Sequence, residues 1–155
     1  MTAAERPATA APAGRLLATT AGEAATEALG AGLARQLSPD GVLLLSGDLG
    51  AGKTVLARGL FAALGVPREE VQSPTFTLVR EHRTPGGLRL VHADLYRLQP
   101  EEVWDLGLEE LLAGDGVKVV EWAERLPFAV PGARSLEIRR VGEGREVREP
   151  TGEER

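Results

Sequence analysis

Apolar positions in the first half of the chain alternate between two patterns. Residues 15–19, RLLAT, are predicted to form a short strand, and residues 21–37 carry Ala and Leu at helical spacing before the turn SPDG. The apolar run VLLLSG at residues 42–47 ends in glycine, which is typical of a buried parallel strand. Residues 53–65 then place a leucine at every fourth position on one helical face and close with Gly65. The pattern predicts a strand, a glycine-rich loop and a helix in direct succession.

The second half of the chain has a different pattern. Two β-type runs at residues 74–82 and 88–98 flank the turn RTPGG, which predicts an antiparallel hairpin. Residues 100–114 have helical spacing, with proline at the start and acidic residues in the first turn. The run VKVVEW at residues 117–122 is predicted to be another buried strand, whereas the alternating segment at residues 135–141 is predicted to be an edge strand.

These elements predict an α/β fold in one domain. The central sheet is expected to be mainly parallel with an antiparallel hairpin portion, and helices are expected to flank it. The domain is predicted to span residues 15–147. Residues 1–14 are rich in Ala, Pro and Thr and are predicted to form a disordered tail, while the polar residues 148–155 are predicted to form a C-terminal tail. The polar segment that begins at Gly142 is expected to fray.

Composition narrows the possible functions. The chain has 155 residues, 43% of them apolar, which is enough to bury the core of one ordinary domain. It has no cysteine, which excludes disulfides, thiolate zinc sites and a cysteine nucleophile. With only two histidines, a hard metal bound by oxygen is favoured over a transition metal held by imidazoles. The net charge of -5 argues against strong autonomous binding of nucleic acid.

The sequence has none of the marks of a membrane or secreted protein. No apolar run approaches the roughly eighteen residues that a membrane-spanning helix needs. The opening MTAAERPATAAPAG lacks the charged start and apolar middle of a signal peptide. A soluble, cytoplasmic protein is therefore expected.

The loop between the predicted strand and helix carries a phosphate-binding pattern. Gly47, Gly52, Lys53 and Thr54 satisfy G-x-x-x-x-G-K-[ST] in the required context. Glycines allow the backbone to fold around an anion, so that successive N–H groups and the helix N-terminus face a phosphate. Lys53 is expected to reach the β- and γ-phosphates, and the hydroxyl of Thr54 is expected to bind Mg²⁺. The predicted cradle consists of Gly50, Ala51, Gly52, Lys53, Thr54 and Val55.

This pattern predicts a P-loop NTPase-like domain but leaves the nucleotide and the reaction open. GTP-binding switches rely on an Asn-Lys-x-Asp segment, and the sequence contains no asparagine, so ATP is favoured. Kinases of small substrates add a substrate lobe and an arginine-bearing lid, for which the chain has little length. The hypotheses at this point are an ATPase, a small-molecule kinase, and a nucleotide-gated binding module in which hydrolysis is incidental.

Two acidic residues are candidates for the chemistry beside the loop. Glu121 belongs to the run VKVVEW, where a buried strand would place its carboxylate next to the loop, opposite Thr54. Asp94 closes its own strand and is a candidate base, water-orienting group or outer-shell magnesium ligand. The alternatives are a solvated or helix-capping carboxylate for Glu121 and a capping or turn-forming carboxylate for Asp94.

For several other residues, the sequence pattern alone favours a structural role over a functional one. His92 is predicted to be a packed histidine, and Trp104 and Trp122 are predicted to be core aromatics or partner contacts. Arg145 could reach a phosphate, but its polar surroundings favour a solvated side chain. The segment SPTFT at residues 73–77 offers hydroxyls where a nucleotide-sensing loop would lie, and by itself it is also an ordinary turn.

Four segments together resemble one family. GDLGAGKT, SPTFTLV, HADLYRL and VVEWAERLP occur in the order and approximate spacing of the TsaE proteins, formerly YjeE, which are bacterial ATPases of tRNA threonylcarbamoyladenosine biosynthesis. The resemblance covers residues 16–147 of the chain. It implies a compact P-loop fold that binds ATP and Mg²⁺ and hydrolyses ATP weakly on its own. It also implies association with the threonylcarbamoyl transferase TsaD and its paralogue TsaB, which form N6-threonylcarbamoyladenosine at position 37 of tRNAs that read ANN codons.

The resemblance also implies roles for individual residues. Thr54 and Glu121 would serve magnesium, and Asp94 would be needed for activity. Together with Lys53, Asp94 and Glu121 form the expected catalytic set. The segment SPTFTLV resembles the family's switch-like loop. The positions that match family residues near the nucleotide are Glu23, Trp122 and Arg145.

Overall fold

The fold is built on one seven-stranded sheet. The computed structural model describes residues 14–48, 50–72 and 78–150. The strands are β1 (Arg15–Thr20), β2 (Val42–Gly47), β3 (Val79–Arg83), β4 (Arg89–Asp94), β5 (Val117–Glu121), β6 (Arg134–Val141) and β7 (Gly144–Glu149). Their order across the sheet is β1-β7-β6-β2-β5-β4-β3.

Four parallel strands form the centre of the sheet. β2 pairs in parallel with β5 and with β6, and β5 pairs in parallel with β4. The outer pairings, β3 with β4, β6 with β7 and β1 with β7, are antiparallel. This arrangement confirms the predicted α/β sheet and its antiparallel hairpin. It also brings the carboxyl ends of β2, β4 and β5 to the same edge, where ligands bind in open α/β sheets.

Helices cover both faces of the sheet. They are α1 (Glu23–Ala34), α2 (Lys53–Ala63), α3 (Pro100–Trp104) and α4 (Leu108–Ala113), with 3-10 turns at Arg68–Glu70 and Ala123–Arg125. α1 and α2 share one aliphatic core with Leu43 and Leu45 of β2. α3 and α4 pack in a second core with Ala93 and Val120. The sheet therefore separates two apolar layers, and α2 begins at the same edge at which β4 and β5 end.

The segment predicted as one helix at residues 100–114 is two helices. α3 ends at Trp104 and α4 begins at Leu108, and Gly107 between them has a φ of 68°. This left-handed backbone conformation interrupts an α-helix and is readily adopted by glycine. Helical spacing of the side chains continues through the interruption, so the pattern does not separate the two helices.

Two predictions at the C-terminal end are wrong. β6 lies inside the sheet between β2 and β7 rather than at an edge, and most of the segment expected to fray forms β7. Glu149 accepts hydrogen bonds from Arg15 at 3.0 Å and from Arg134 at 2.8 Å, and Val147 is buried in the core. The ion pairs of Glu149 and the burial of Val147 hold this charged segment in the sheet. β7 accordingly includes two residues that the sequence assigned to the polar tail.

Some predictions fall on residues outside the described ranges. These include residues 1–13 of the predicted N-terminal tail, residues 151–155 of the C-terminal tail and the possible sensing loop at residues 73–77. Disorder of these terminal residues and the role of the sensing loop therefore stay predictions. Within the described ranges, no helix is long and apolar enough to cross a membrane.

The contact between α1 and α2 depends on Gly30. A Cβ at this position would lie 2.1 Å from the backbone oxygen of Leu56. We expect Gly30→Ala to lower the free energy of unfolding by about 1–3 kcal/mol, the usual cost of overpacking a core. Gly32 lies on the same helix with no atom within 4 Å of its Cβ position, so Gly32→Ala is the matched control. It should be neutral or stabilise by about 0.5–1 kcal/mol. Denaturant titrations measure both, and equal stability of the two variants would contradict this account of the contact.

Candidate functional site

A cavity of about 380 Å³ lies at the edge where β2, β4 and β5 end. It brings together nearly all of the predicted site residues, from the loop after β2, the strand ends, α1 and β7. These lining residues are Glu23, Gly50, Gly52, Lys53, Thr54, Val55, Asp94, Glu121, Trp122 and Arg145. Ala51 is the exception, because it is buried in the core beneath the loop and does not line the cavity.

The loop after β2 requires glycine where it leaves the strand. Gly47 has a φ of 137°, and a Cβ there would lie 2.1 Å from the carbonyl oxygen of Ile138 on β6. Gly52 precedes α2 with a φ of 110°, and the helix begins at Lys53. The N-terminus of α2 therefore opens onto the cavity. Its unpaired N–H groups and the helix dipole favour an anion at this position.

Lys53 is held inside the site by the loop itself. Its side chain is 4% exposed, and Nζ donates hydrogen bonds to the carbonyl oxygens of Gly47 at 2.6 Å and Asp48 at 2.8 Å. The amine also lies 4.4 Å from the ring centroid of Trp122, within cation–π range. Burial lowers the pKa of Lys53, and the negative charge of Glu121 opposes that shift. An anion in the cavity would further favour the charged amine.

The second residue of α2 meets the end of β5. Thr54 donates its hydroxyl to Glu121, with Oγ1 at 2.8 Å from Oε1 and 2.9 Å from Oε2. A hydroxyl and a carboxylate are hard oxygen donors, which suit Mg²⁺ because it binds one or two protein oxygens and completes its shell with phosphate and water. In the described part of the chain, no group of three or more His, Asp or Glu side chains could hold a metal. A magnesium ion at the Thr54–Glu121 pair would complete its shell with oxygens of water or phosphate.

His92 contacts Glu121 of this pair, although the sequence pattern around His92 did not predict a site residue. Its ring is fully buried, as expected for a packed histidine, and lies against Phe61 with ring centroids 5.4 Å apart. Its Nε2 also lies 2.6 Å from Oε2 of Glu121. His92 and Asp94 are two positions apart on β4, so their side chains share one face of the strand. This spacing of two residues is the sequence signal that places His92 on the same face as Asp94, and therefore on the side of the strand where it can contact Glu121.

Asp94 lies beside Glu121 at the end of the neighbouring strand. The two residues are paired in the parallel register of β4 and β5, and Asp94 is buried. Its Oδ1 accepts a hydrogen bond from the backbone N–H of Tyr96 at 2.9 Å. Asp94 therefore shapes the turn after β4 and lines the cavity at the same time. The turn-forming interpretation and a position in the site are compatible.

Trp122 forms one wall of the cavity. Its φ of 60° is uncommon for a residue other than glycine, and such conformations cost on the order of 1–3 kcal/mol and cluster at ligand sites. Its ring centroid lies 4.9 Å from that of Tyr96, and the guanidinium of Arg125 lies 5.5 Å from the ring. The strand predicted to include Trp122 ends one residue earlier, at Glu121, because the backbone turns here.

Another wall is formed by β7 and α1. Arg145 donates from Nη2 to the carbonyl oxygen of Gly50 at 3.4 Å, and its Nε is buried without a hydrogen-bond partner among the described residues. Arg145 is thus half-buried against the loop rather than fully solvated, because its segment is a paired strand rather than a frayed end. Glu23 lies in the first turn of α1 and lines the same cavity.

The cavity also contains residues that the sequence analysis did not single out, namely Gly22, Thr26, Tyr96 and Glu143. The hydroxyls of Thr20 and Thr26 are 2.7 Å apart, and Thr26 also donates to the carbonyl oxygen of Gly22 at 3.1 Å. These contacts tie the start of α1 to the end of β1. No local pattern marks Gly22, Thr26 and Glu143, because only the strand order places α1 and β7 beside this loop, whereas Tyr96 lies in the segment HADLYRL.

Comparison with known proteins identifies the family of the chain. The model of the family described as Threonylcarbamoyl adenosine biosynthesis protein TsaE matches residues 20–149. A protein named tRNA threonylcarbamoyladenosine biosynthesis protein TsaE from Nostoc sp. is 47% identical over 104 residues, which cover 64% of this chain and 63% of that protein. The protein of the same name from Bacillus subtilis is 45% identical over 106 residues, covering 68% and 65% of the two chains. The matched part thus spans less than two thirds of these two relatives.

A solved structure shares the fold. The crystal structure of Bacillus subtilis YdiB is 33% identical in sequence, with a TM-score of 0.64, and the match covers 88% of this chain and 86% of that one.

The TsaE protein from Synechocystis sp. is 50% identical over 107 residues, covering 66% of this chain and 67% of that protein. The family model spans most of the chain and includes the loop, both strand ends and β7. This protein belongs to the TsaE family.

Proposed function

We propose that this protein is a magnesium-dependent ATPase that supports formation of N6-threonylcarbamoyladenosine at position 37 of tRNA. The observation that carries the proposal is the convergence of Lys53, the Thr54–Glu121 pair and Asp94 on one cavity at the N-terminus of α2. The relatives named above are tRNA threonylcarbamoyladenosine biosynthesis proteins, which supports the pathway. Because tRNA is the ultimate substrate, the expected location is the cytoplasm.

ATP is the proposed nucleotide. Its phosphates would lie at the N-terminus of α2, where Lys53 can exchange its two loop carbonyls for phosphate oxygens. Trp122 and Arg145 also line the cavity, and Glu23 offers a carboxylate that can accept from an amino group of a base. The absence of asparagine removes the segment on which guanine recognition depends in GTP-binding switches.

Thr54 and Glu121 are proposed to hold the metal. Magnesium, when bound, neutralises charge on the phosphates and stabilises the charge that develops during transfer. The Thr54 hydroxyl and the Glu121 carboxylate already face each other at hydrogen-bond distance, so the protein oxygens are preorganised. Asp94 is proposed to orient the attacking water or to couple hydrolysis to a partner, since it lies next to Glu121 in the sheet register.

Hydrolysis by the isolated protein is proposed to be weak. Phosphoryl transfer depends mainly on positioning and charge stabilisation, so partners that bind near the cavity would raise the rate. The TsaD transferase and TsaB are the proposed partners, and tRNA would meet this protein only through them. The rival hypothesis of a small-molecule kinase requires a phosphate acceptor. ADP release measured with candidate acceptors and with TsaB, TsaD and tRNA separates the two, because only the second mixture should accelerate release.

ATP binding in this cavity should be visible through Trp122. The chain has two tryptophans, so Trp104→Phe leaves Trp122 as the only one. We expect ATP with Mg²⁺ to change the fluorescence of this variant, because Lys53 leaves the face of the indole for the phosphates. Trp122→Phe is the control: it retains Trp104, which is 51% exposed and packs against Phe128 at 5.1 Å, and its fluorescence should not respond. An ATP response that follows Trp104 instead would place the nucleotide elsewhere.

A further inference from the structure

We propose that His92 is a positioning residue that fixes the orientation of the Glu121 carboxylate and thereby tunes the affinity of the site for magnesium. The inference rests on the proposed function, because it assigns to His92 a role in the same metal site. His92 would not touch ATP or the metal. It would act through the hydrogen bond between its Nε2 and Oε2 of Glu121, at 2.6 Å.

The hydrogen-bonding chemistry of the three side chains favours this role. A carboxylate oxygen can only accept, so Nε2 of His92 carries the proton and donates to Oε2 of Glu121. The hydroxyl of Thr54 has one hydrogen for two carboxylate oxygens that lie almost equally close. The donation from His92 satisfies Oε2 and leaves Oε1 to Thr54. The carboxylate is thereby oriented by two donors from two different elements, β4 and α2.

Packing holds the imidazole in place for this contact. His92 is fully buried, and its ring meets Phe61 edge to face with centroids 5.4 Å apart. In the register of β4 and β5, His92 is paired with Val119, which lies two positions before Glu121 on the same face of the strand. The geometry of two neighbouring parallel strands therefore sets the distance between the imidazole and the carboxylate.

The polar contacts of His92 point to Glu121. Among the described residues, its Nδ1 is buried and has no hydrogen-bond partner. With the proton on Nε2, Nδ1 is a buried acceptor without a partner, and a leucine would fill most of this space without leaving a polar atom unpaired. The polar side chain is thus explained by its contact with Glu121 rather than by packing. Residues that orient a metal ligand in this way change metal affinity by about 10–100-fold when they are replaced.

The test compares two variants of His92 with a matched control. His92→Leu removes the donor, whereas His92→Gln retains an N–H at similar reach. His82→Leu is the control: His82 packs against the same phenyl ring of Phe61 at 6.0 Å, and its Nε2 has no hydrogen-bond partner among the described residues. For each full-length variant, ATP binding is titrated with Mg²⁺ and is also measured in EDTA. The thermal unfolding midpoint reports folding.

We expect His92→Leu to raise the Mg²⁺ concentration for half-maximal enhancement of ATP binding by about 10–100-fold, with unchanged ATP affinity in EDTA. His92→Gln should restore most of the magnesium affinity, and His82→Leu should retain all of it. If His92→Leu does not fold, His92→Met replaces it, because methionine adapts to irregular core space.

Several results would overturn the inference. One is a magnesium affinity of His92→Leu equal to that of the wild type, and another is an equal loss in His82→Leu, which would indicate packing alone. A loss of magnesium affinity in His92→Gln equal to that in His92→Leu would also overturn it. So would a loss of ATP affinity of His92→Leu in EDTA. Failure of the wild-type protein to bind ATP with Mg²⁺ would instead contradict the proposed function, so the two failures are distinguishable.

Discussion

Lys53→Ala is expected to lower ATP hydrolysis by at least about a hundredfold, the usual cost of removing one preorganised charge-stabilising donor. The amine is nearly inaccessible to solvent and is held at the loop by the carbonyls of Gly47 and Asp48, and alanine puts no positive charge at this position. The fold should survive, because the alanine leaves α2 and the glycines of the loop intact. Steady-state ADP release and ATP binding by isothermal titration calorimetry measure the loss.

The chain supplies its own control for this variant. Lys118 is the only other lysine, it is equally buried, and its amine donates to the carbonyl oxygen of Gly114 near the opposite end of β5. Lys118→Met should leave ATP binding and hydrolysis unchanged. Wild-type hydrolysis in Lys53→Ala would contradict the proposal that Lys53 binds the phosphates of ATP. Equal losses in both variants would indicate a general effect of removing a buried amine.

Glu121→Gln is expected to reduce hydrolysis by about a hundredfold while ATP binding in EDTA is retained. The amide keeps the volume of the side chain and can still accept from Thr54, but it removes the negative charge that magnesium requires. The loss should therefore appear in the magnesium dependence of binding as well as in the rate. ADP release measured over a range of Mg²⁺ concentrations separates a weaker metal site from a slower chemical step.

The matched control for Glu121→Gln is Glu124→Gln. Glu124 lies in the 3-10 turn three residues later and is exposed, so its replacement makes the same change of charge outside the cavity. Its hydrolysis should equal that of the wild type. If Glu121→Gln bound ATP and fully supported tRNA modification, hydrolysis would be incidental. That result would support the hypothesis of a nucleotide-gated binding module.

The sequence predicted those parts of the site that depend on local structure. The glycine pattern places Lys53 and Thr54 at the start of a helix, because strand, loop and helix are consecutive in the chain. Glu121 is far from Thr54 in sequence, yet its position at the end of a buried strand was enough to predict that the two would meet. Parallel strands end at a common edge, so this long-range contact follows from the fold class.

The remaining parts of the site depend on strand order and backbone turns, which side-chain patterns do not contain. Arg145 reaches the loop only because the charged C-terminal segment pairs between β1 and β6. His92 reaches Glu121 only because β4 lies next to β5 with the register that pairs His92 with Val119. Both were interpreted in their most ordinary roles, as a solvated arginine and a packed histidine.

The most direct test of the proposed function is multiple-turnover threonylcarbamoyl transfer to tRNA by TsaB and TsaD, with and without this protein. Modified adenosine is measured over time with ATP and Mg²⁺ present, for the wild type, Lys53→Ala and the Lys118→Met control. We predict that product continues to accumulate through repeated turnovers only with the wild type or Lys118→Met, and that it stops early with Lys53→Ala. Sustained turnover without this protein, or equal turnover with Lys53→Ala, would contradict the account.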